Sequence, residues 1–267
     1  MTLNITLATV RVYVDSVIVQ TLHDFPRRDL EGALLHYQPF DIDKIHPAFR
    51  DIRAAWYGMM VFSWSFVWNP NKLAEGPKEF TDFLKPEFKD KLALTYLNDN
   101  DAVPYAMQKY GLGWFESLLA QSPRCMRGTA TPLAILASPK SIGTATFTSG
   151  VGLVPFPPLN ITIPTQGNFV SWAQRGVMLK DAPHPEGAKL LHNFMSSDGY
   201  QNSTGSWSVR KDVPAPVCHP EIMDISSTNP VDIDWFLAGR VRIERLKLFF
   251  ENKIGTLQGW SPLIDDL

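Results

Sequence analysis

A chain of 267 residues, 45% hydrophobic, 19% charged and of formal charge −2, has apolar content enough for one large or two modest domains. Its acidic and basic residues are interspersed, which leaves no basic footprint for nucleic acid or another long polyanion. Its most apolar window, 56–68, is interrupted by Gly58, Ser63 and Ser65 and is too short to span a bilayer.

The alternation Thr9-Val10-Arg11-Val12-Tyr13-Val14 predicts a first strand. No basic stretch followed by an apolar core precedes it, so no secretion signal is recognisable and localisation stays open. Trp56-Tyr57-Gly58 leads into a buried strand over 61–68. Leu92 to Thr95 predicts a further strand. Asn98 or Asp99 then caps a helix over 102–109 that stops at Gly111, with Pro104 tolerated in its first turn. The spacing of Trp114, Phe115, Leu118 and Leu119 predicts a helix over 114–120 with those residues inward. Thr129 or Thr131 with Pro132 opens a helix that runs to Ala137. A strand is expected over 144–148 and an exposed loop at Pro155-Phe156-Pro157-Pro158. Lys180-Asp181 ends an apolar run. His184 then takes the cap position and Pro185 the first turn of a helix that buries Ala188, Leu191, Phe194 and Met195 and stops or kinks at Gly199. Two more helices are expected over 231–238 and 241–250, divided by Gly239. Strands alternating with helices predict an α/β fold built from crossovers.

Cys125 and Cys218 are far apart in sequence. Pairing is not decided by that spacing, and two free, partly buried thiols are the favoured reading. The sequons at Asn4, Asn160 and Asn202 leave glycosylation and a eukaryotic secreted ancestor open.

The wording of the chain is more specific than its pattern. Residues 177–201, VMLKDAPHPEGAKLLHNFMSSDGYQ, resemble the phrase "kdAPHPeaAklfldFllSeegQ" of bacterial extracellular solute-binding proteins. The branch is the ferric-iron, thiamine and phosphonate type. Val17-Ile18-Val19-Gln20-Thr21 is similar to its strand leading into the cleft, and Glu31 to Leu35 to its "keGlLlpy". Asn69-Pro70 is similar to "yNp", Pro86 to Thr95 to "pkwkgkialtd", and Asp99 to Val103 to "d.dav". The phrases fall in family order from about Asp15 onward and resemble fungal relatives most closely.

The resemblance implies a two-lobe architecture of the periplasmic-binding-protein type II, with mixed sheets flanked by helices. Lobe one would comprise residues 1–66 and 172–267, and lobe two 67–171. A strand-helix-strand unit usual in the family before the Gln20 equivalent is missing, so lobe one is expected to be incomplete. Bacterial members pass their ligand to an ABC permease, a partner expected here only if the source is bacterial. A fungal source would point to a carrier or accessory role in a biosynthetic pathway.

Helix N-termini facing a cleft offer unpaired N–H groups to an anion. Three are readable, at Gln20-Thr21, at Asn98-Asp99-Asn100, and at Arg127-Gly128-Thr129-Ala130-Thr131. In the last, Arg127 supplies a fork of donors and Gly128 allows close backbone approach. The competing reading is a plain helix cap with Arg127 paired to a surface carboxylate. Trp64, Phe66, Trp68 and Trp172 read either as core or as a stacking surface for a planar or cationic ligand, with Trp64 and Trp172 the best candidates for stacking.

Ferric binders of the family use adjacent tyrosines. This chain has only separate ones, at Tyr96, Tyr105, Tyr110 and Tyr200 among others, so no metal and no cofactor are expected. The expected function is that of a solute-binding protein for a small anionic or zwitterionic ligand. Two alternatives remain open. One is an enzyme on the same fold acting on a small heterocyclic or phosphorylated substrate, with Cys125 beside Arg124, or Cys218-His219, as nucleophile. His23-Asp24 and the Asp181/His184 neighbourhood are further candidate pairs, and Cys218-His219 is weak because adjacent residues on an extended chain point apart. The other is a degenerate, non-binding paralogue.

Overall fold

The computed structural model describes residues 14–19, 24–96, 102–150 and 152–256. Of the expected site residues, Gln20, Thr21, Asn98 and Asp99 lie outside these, as do His23 and the sequon at Asn4. The described elements run in order from strand β1 (Ser16–Val19) and helix α1 (Asp24–Leu30) to β2 (Leu34–Leu35) and β3 (Tyr57–Ser63). Next come β4 (Ser65–Trp68), β5 (Ala93–Thr95), α2 (Ala102–Ala120), β6 (Arg124–Met126), α3 (Thr131–Ala137), β7 (Ala145–Gly150) and β8 (Asn160–Thr162). The last are β9 (Ser171–Leu179), α4 (Pro185–Ser196), α5 (Asp198–Ser203), α6 (Asp232–Ala238) and α7 (Arg240–Ile254). Among the described residues no helix is long and apolar enough to cross a membrane.

Strand β9 organises the first sheet, pairing antiparallel with β1, β2 and β3. The second sheet has the order β7-β4-β8, and β5-β6 lies beside it as a parallel pair, joined through the Leu92–Ala145 bridge. This mixed arrangement is the α/β architecture that alternating strands and helices predicted. The chain leaves the first sheet and enters the second within one residue, at Ser63-Trp64-Ser65. It returns at Val170-Ser171, and the two crossings are tied together by Trp64 N–H donating to Val170 O at 2.8 Å and by the Ser63–Ser171 pairing.

Short crossovers need firm anchors. Phe66 on β4 is fully buried, with edge-on contacts to Phe80 and Phe83 at 4.9 and 5.0 Å between ring centroids. Phe147 and Trp114 close the same aromatic cluster. Lys72 caps the carboxyl end of α3 through Leu136 O, Ser138 O and Gly143 O, and Asn69 Nδ2 joins it at Leu136 O. Helix C-termini leave such carbonyls without intrahelical donors, so the Asn69-Pro70 phrase anchors α3. The Glu79 carboxylate likewise accepts from the N–H groups of Thr165, Gln166 and Gly167, fixing the return path to β9.

Several expected details hold. Gly111 breaks α2 with φ of 81°, Pro185 opens α4, and Pro155 to Pro158 are exposed. Others need correction. Leu191 and Phe194 are 43% and 59% exposed, whereas the inner face of α4 is Ala188, His192, Met195 and Ser196. The break after α4 falls at Ser197, whose hydroxyl accepts from Tyr200 N–H and caps α5, and Gly199 lies inside that helix. His184 does hold the cap position of α4 as expected; its side chain makes no cap hydrogen bond, and its backbone N–H donates to Asp15 Oδ1. Cys218 is exposed rather than partly buried.

Candidate functional site

Where the crossings meet, residues from both sheets face a groove of about 510 Å³. This lies within the size range of ordinary small-molecule sites. From the first sheet come Met60 and Phe62 near the end of β3, Tyr200 and Ser203 on α5, and Thr204, Ser206 and Trp207 just beyond it. From the second come Val67 on β4, Ser149 on β7, Leu133 on α3, Ile161 on β8, and the loop Gly152, Leu153, Val154 and Phe156.

The wall formed by α5 is held by Gln201. Its amide donates to Met59 O and Met195 O, both at 2.7 Å, while its oxygen accepts from Ser208 Oγ and Val209 N–H. Every hydrogen-bonding position of that buried amide is used, which fixes the register of α5 against β3. Trp207 is pinned by its indole N–H to Pro220 O at 3.0 Å and stacks on Phe169. Opposite, Thr148 Oγ1 accepts from Thr95 N–H, which positions the end of β7 and hence Ser149.

The two walls touch. A Cβ built at Gly205, whose φ is +63°, would lie 2.6 Å from Val154 Cγ2. Gly205 therefore serves both a left-handed turn and a close approach. Gly205→Val is expected to push the 152–156 loop away, with a stability loss of about 1–3 kcal/mol from the backbone strain. Faster thermolysin cleavage within that loop checks this, and an unchanged rate would show that the contact is not what holds the loop.

Apart from the Trp207 indole, the polar side chains among the described groove residues are hydroxyl-bearing. Ser203 Oγ donates to Tyr200 O, Thr204 Oγ1 to Gln201 O, Ser206 Oγ to Val61 O and Tyr200 OH to Met60 Sδ. Ser149 Oγ differs, being buried with no hydrogen-bond partner. No charged side chain lines the groove among the described residues.

The described residues expected from sequence sit elsewhere. At Arg127-Gly128-Thr129, the carbonyls of Arg127 and Gly128 accept from Thr131 Oγ1 and Thr95 Oγ1. Gly128 has φ of 72°, and Ala130, not a threonine, holds the cap position of α3. This turn runs into α3, whose Leu133 lines the groove, and is tied to the end of β7 through Thr95 and Thr148. Trp64 and Trp172 are brought together at 5.6 Å, but both are buried beside Ile233, Phe236 and Ile243. The groove residues that sequence reasoning passed over, chiefly Ser149, Gly152, Ser206 and Trp207, carry no motif. The sole signal was that Ser149 directly follows the strand expected over 144–148, and ligands gather beyond strand ends in α/β sheets.

The cysteine readings also change. Burial pushes the Cys125 thiol up to about 11, the opposite of the activation that Arg124 was expected to supply. His219 packs against the Trp207 ring. Among the described residues no group of three His, Cys, Asp or Glu side chains gathers.

The sequence model for "Bacterial extracellular solute-binding protein" matches residues 31–232. No curated protein matches the chain in sequence. The fold is similar to the substrate-binding protein of an ABC transporter from Agrobacterium tumefaciens, with TM-score 0.72, 15% identity and coverage of 91% of this chain and 78% of that one. It is also similar to AfuA from Actinobacillus pleuropneumoniae with fructose-6-phosphate bound (TM-score 0.65, 18% identity, coverage 90% and 82%). A third similar fold is iron-bound HitA from Pseudomonas aeruginosa (TM-score 0.61, 15% identity, coverage 91% and 83%).

Proposed function

Because this chain belongs to the bacterial extracellular solute-binding protein family, we propose that it holds a small ligand in the groove between its two sheets. The observation that carries this reading is the groove itself, about 510 Å³ with walls from both sheets, placed where the chain crosses between them. Residues 1–66 and 172–267 form one lobe and 67–171 the other, and they close about the paired crossings at Ser63-Trp64-Ser65 and Val170-Ser171. Hinges absorb such motion in a few backbone positions at the ends of elements. The C-terminal helices then strap the lobes together, since α6 touches β9 and α7 packs Phe249 and Phe250 on Phe115 of α2.

Closure excludes water and strengthens the few hydrogen bonds within. In this reading the protein presents its ligand to a membrane permease, as the substrate-binding component of an ABC importer would. Trp64 and Trp172 act as hinge packing, with Phe62 linking them to the groove wall.

Native mass spectrometry of freshly purified protein is the test. A bound small molecule is expected, lost in Gly205→Val. Retention of the same mass by that variant would place the ligand elsewhere.

A further inference from the structure

A second groove, open and about 1140 Å³ in volume, lies between α2 and the two C-terminal helices. Its apolar surface comes from Met107 and Leu112 on α2 and from Trp235, Leu246 and Phe249 on α6 and α7. Leu112 is 50% exposed and Trp235 76%, more apolar surface than a single stray side chain leaves to water. Arg240, Arg242 and Arg245 line the same groove, and no acidic side chain does so among the described residues. The Arg242 guanidinium lies over the rings of Phe236 and Trp235, 4.7 and 5.7 Å from their centroids, which holds its charge at the groove. Arg245 is exposed.

An apolar floor beside gathered positive charge fits an occupant that carries apolar side chains and carboxylates. The chain itself supplies one. Residues 257–267, outside the described residues, read LQGWSPLIDDL: Trp260, Leu263 and Ile264 come first, then Asp265 and Asp266, with no lysine or arginine. The connection suits a return path. Gly255 has φ of 85° and its N–H donates to Glu251 O, a helix-ending turn that lets the chain reverse along α7. From Ile254 back to Arg242 the helix runs about 18 Å, whereas residues 256–265 span up to about 30 Å when extended. The order matches as well. A chain returning along α7 meets Phe249 and Leu246 first and Arg245 and Arg242 after them, as the segment presents its apolar residues before its carboxylates.

We infer that residues 257–267 occupy this groove, with Trp260, Leu263 and Ile264 on its apolar floor and the carboxylates of Asp265 and Asp266 facing Arg242 and Arg245. The segment then bridges α2 and the C-terminal helices, adding to the contacts of Phe115 with Phe249 and Phe250 that already join them. Apolar burial supplies the hold, and the charges set the direction in which the segment lies.

The test is limited chymotrypsin digestion of the full chain, with cleavage after Trp260 followed by mass spectrometry. Cleavage there is expected to be at least about tenfold slower than in a synthetic peptide of residues 256–267, because a docked segment must first open. Arg245→Glu should speed it about fivefold, as should Asp265→Lys with Asp266→Lys, the scale of an exposed ion pair. The three substitutions together should restore the slow rate, since the charges are then exchanged rather than opposed. Arg245 is an exposed helix residue, so circular dichroism spectra of all variants should match the wild type. Wild-type cleavage as fast as that of the peptide, an unchanged rate in Arg245→Glu, or no restoration in the combined variant overturns the inference. Slow cleavage that speeds up on dilution would give the groove to the same segment of a second copy, and overturns it too.

Discussion

Acidification from pH 7 to pH 4 is expected to remove about 3 kcal/mol of stability through one side chain, His192. The ring is fully buried on the inner face of α4, with Ser16 Oγ at 2.6 Å from Nε2 and Tyr57 OH at 2.7 Å from Nδ1. A neutral imidazole satisfies both hydroxyls, donating from one nitrogen and accepting at the other. Burial lowers the ring to about 4, below the ordinary histidine value of 6.5. Between those values the unfolded chain binds a proton that the folded protein resists, so stability falls as pH falls, and the loss levels off below pH 4. The other titratable group facing the ring is the Tyr57 phenol, which burial pushes upward and keeps neutral throughout. Urea melts of wild type and His192→Gln across this range isolate the effect from that of the carboxylates. The variant should be less stable at pH 7 and markedly flatter with pH; parallel curves would show that His192 does not titrate in this way.

Phe66→Ala is expected to cost about 3–5 kcal/mol, a large part of the 5–15 kcal/mol typical of a folded protein. Phe66 is 0% exposed and lies edge-on to Phe80 and Phe83, so truncation removes apolar burial and two ring contacts and leaves a cavity. The backbone of β4 constrains collapse of that cavity, being paired on both sides with β7 and β8. Phe66→Leu should cost less than half as much, because most of the volume is kept. Chemical denaturation reads both, and a loss below about 1 kcal/mol for Phe66→Ala would mean the site repacks freely.

These two residues show what a sequence conveys at different distances. The Phe66 strand was readable as buried because a run of apolar residues between polar stretches has few other places to go. His192 was not. Helical spacing does place 188, 192, 195 and 196 on one stripe, but hydrophobicity drew attention to Leu191 and Phe194 beside it. Which stripe turns inward depends on what β1 and β3 present to α4, and Ser16 and Tyr57 present hydroxyls. The groove was missed for a related reason. Its walls meet through Val154 and Gly205, far apart in the chain and marked by no motif.

The sequence by itself determined the alternation of strands and helices, the breaks at Gly111 and Pro185, and a family phrasing that the matched residues 31–232 bear out. Such features follow from backbone preferences and side-chain periodicity, which act over a few residues. Only the tertiary structure decided which side chains share a hollow, that Trp64 and Trp172 pack on each other, and that Ser149 is left without a partner. Those outcomes depend on the pairing of β9 with three strands and on the double crossing, contacts between residues that the chain separates by more than a hundred positions.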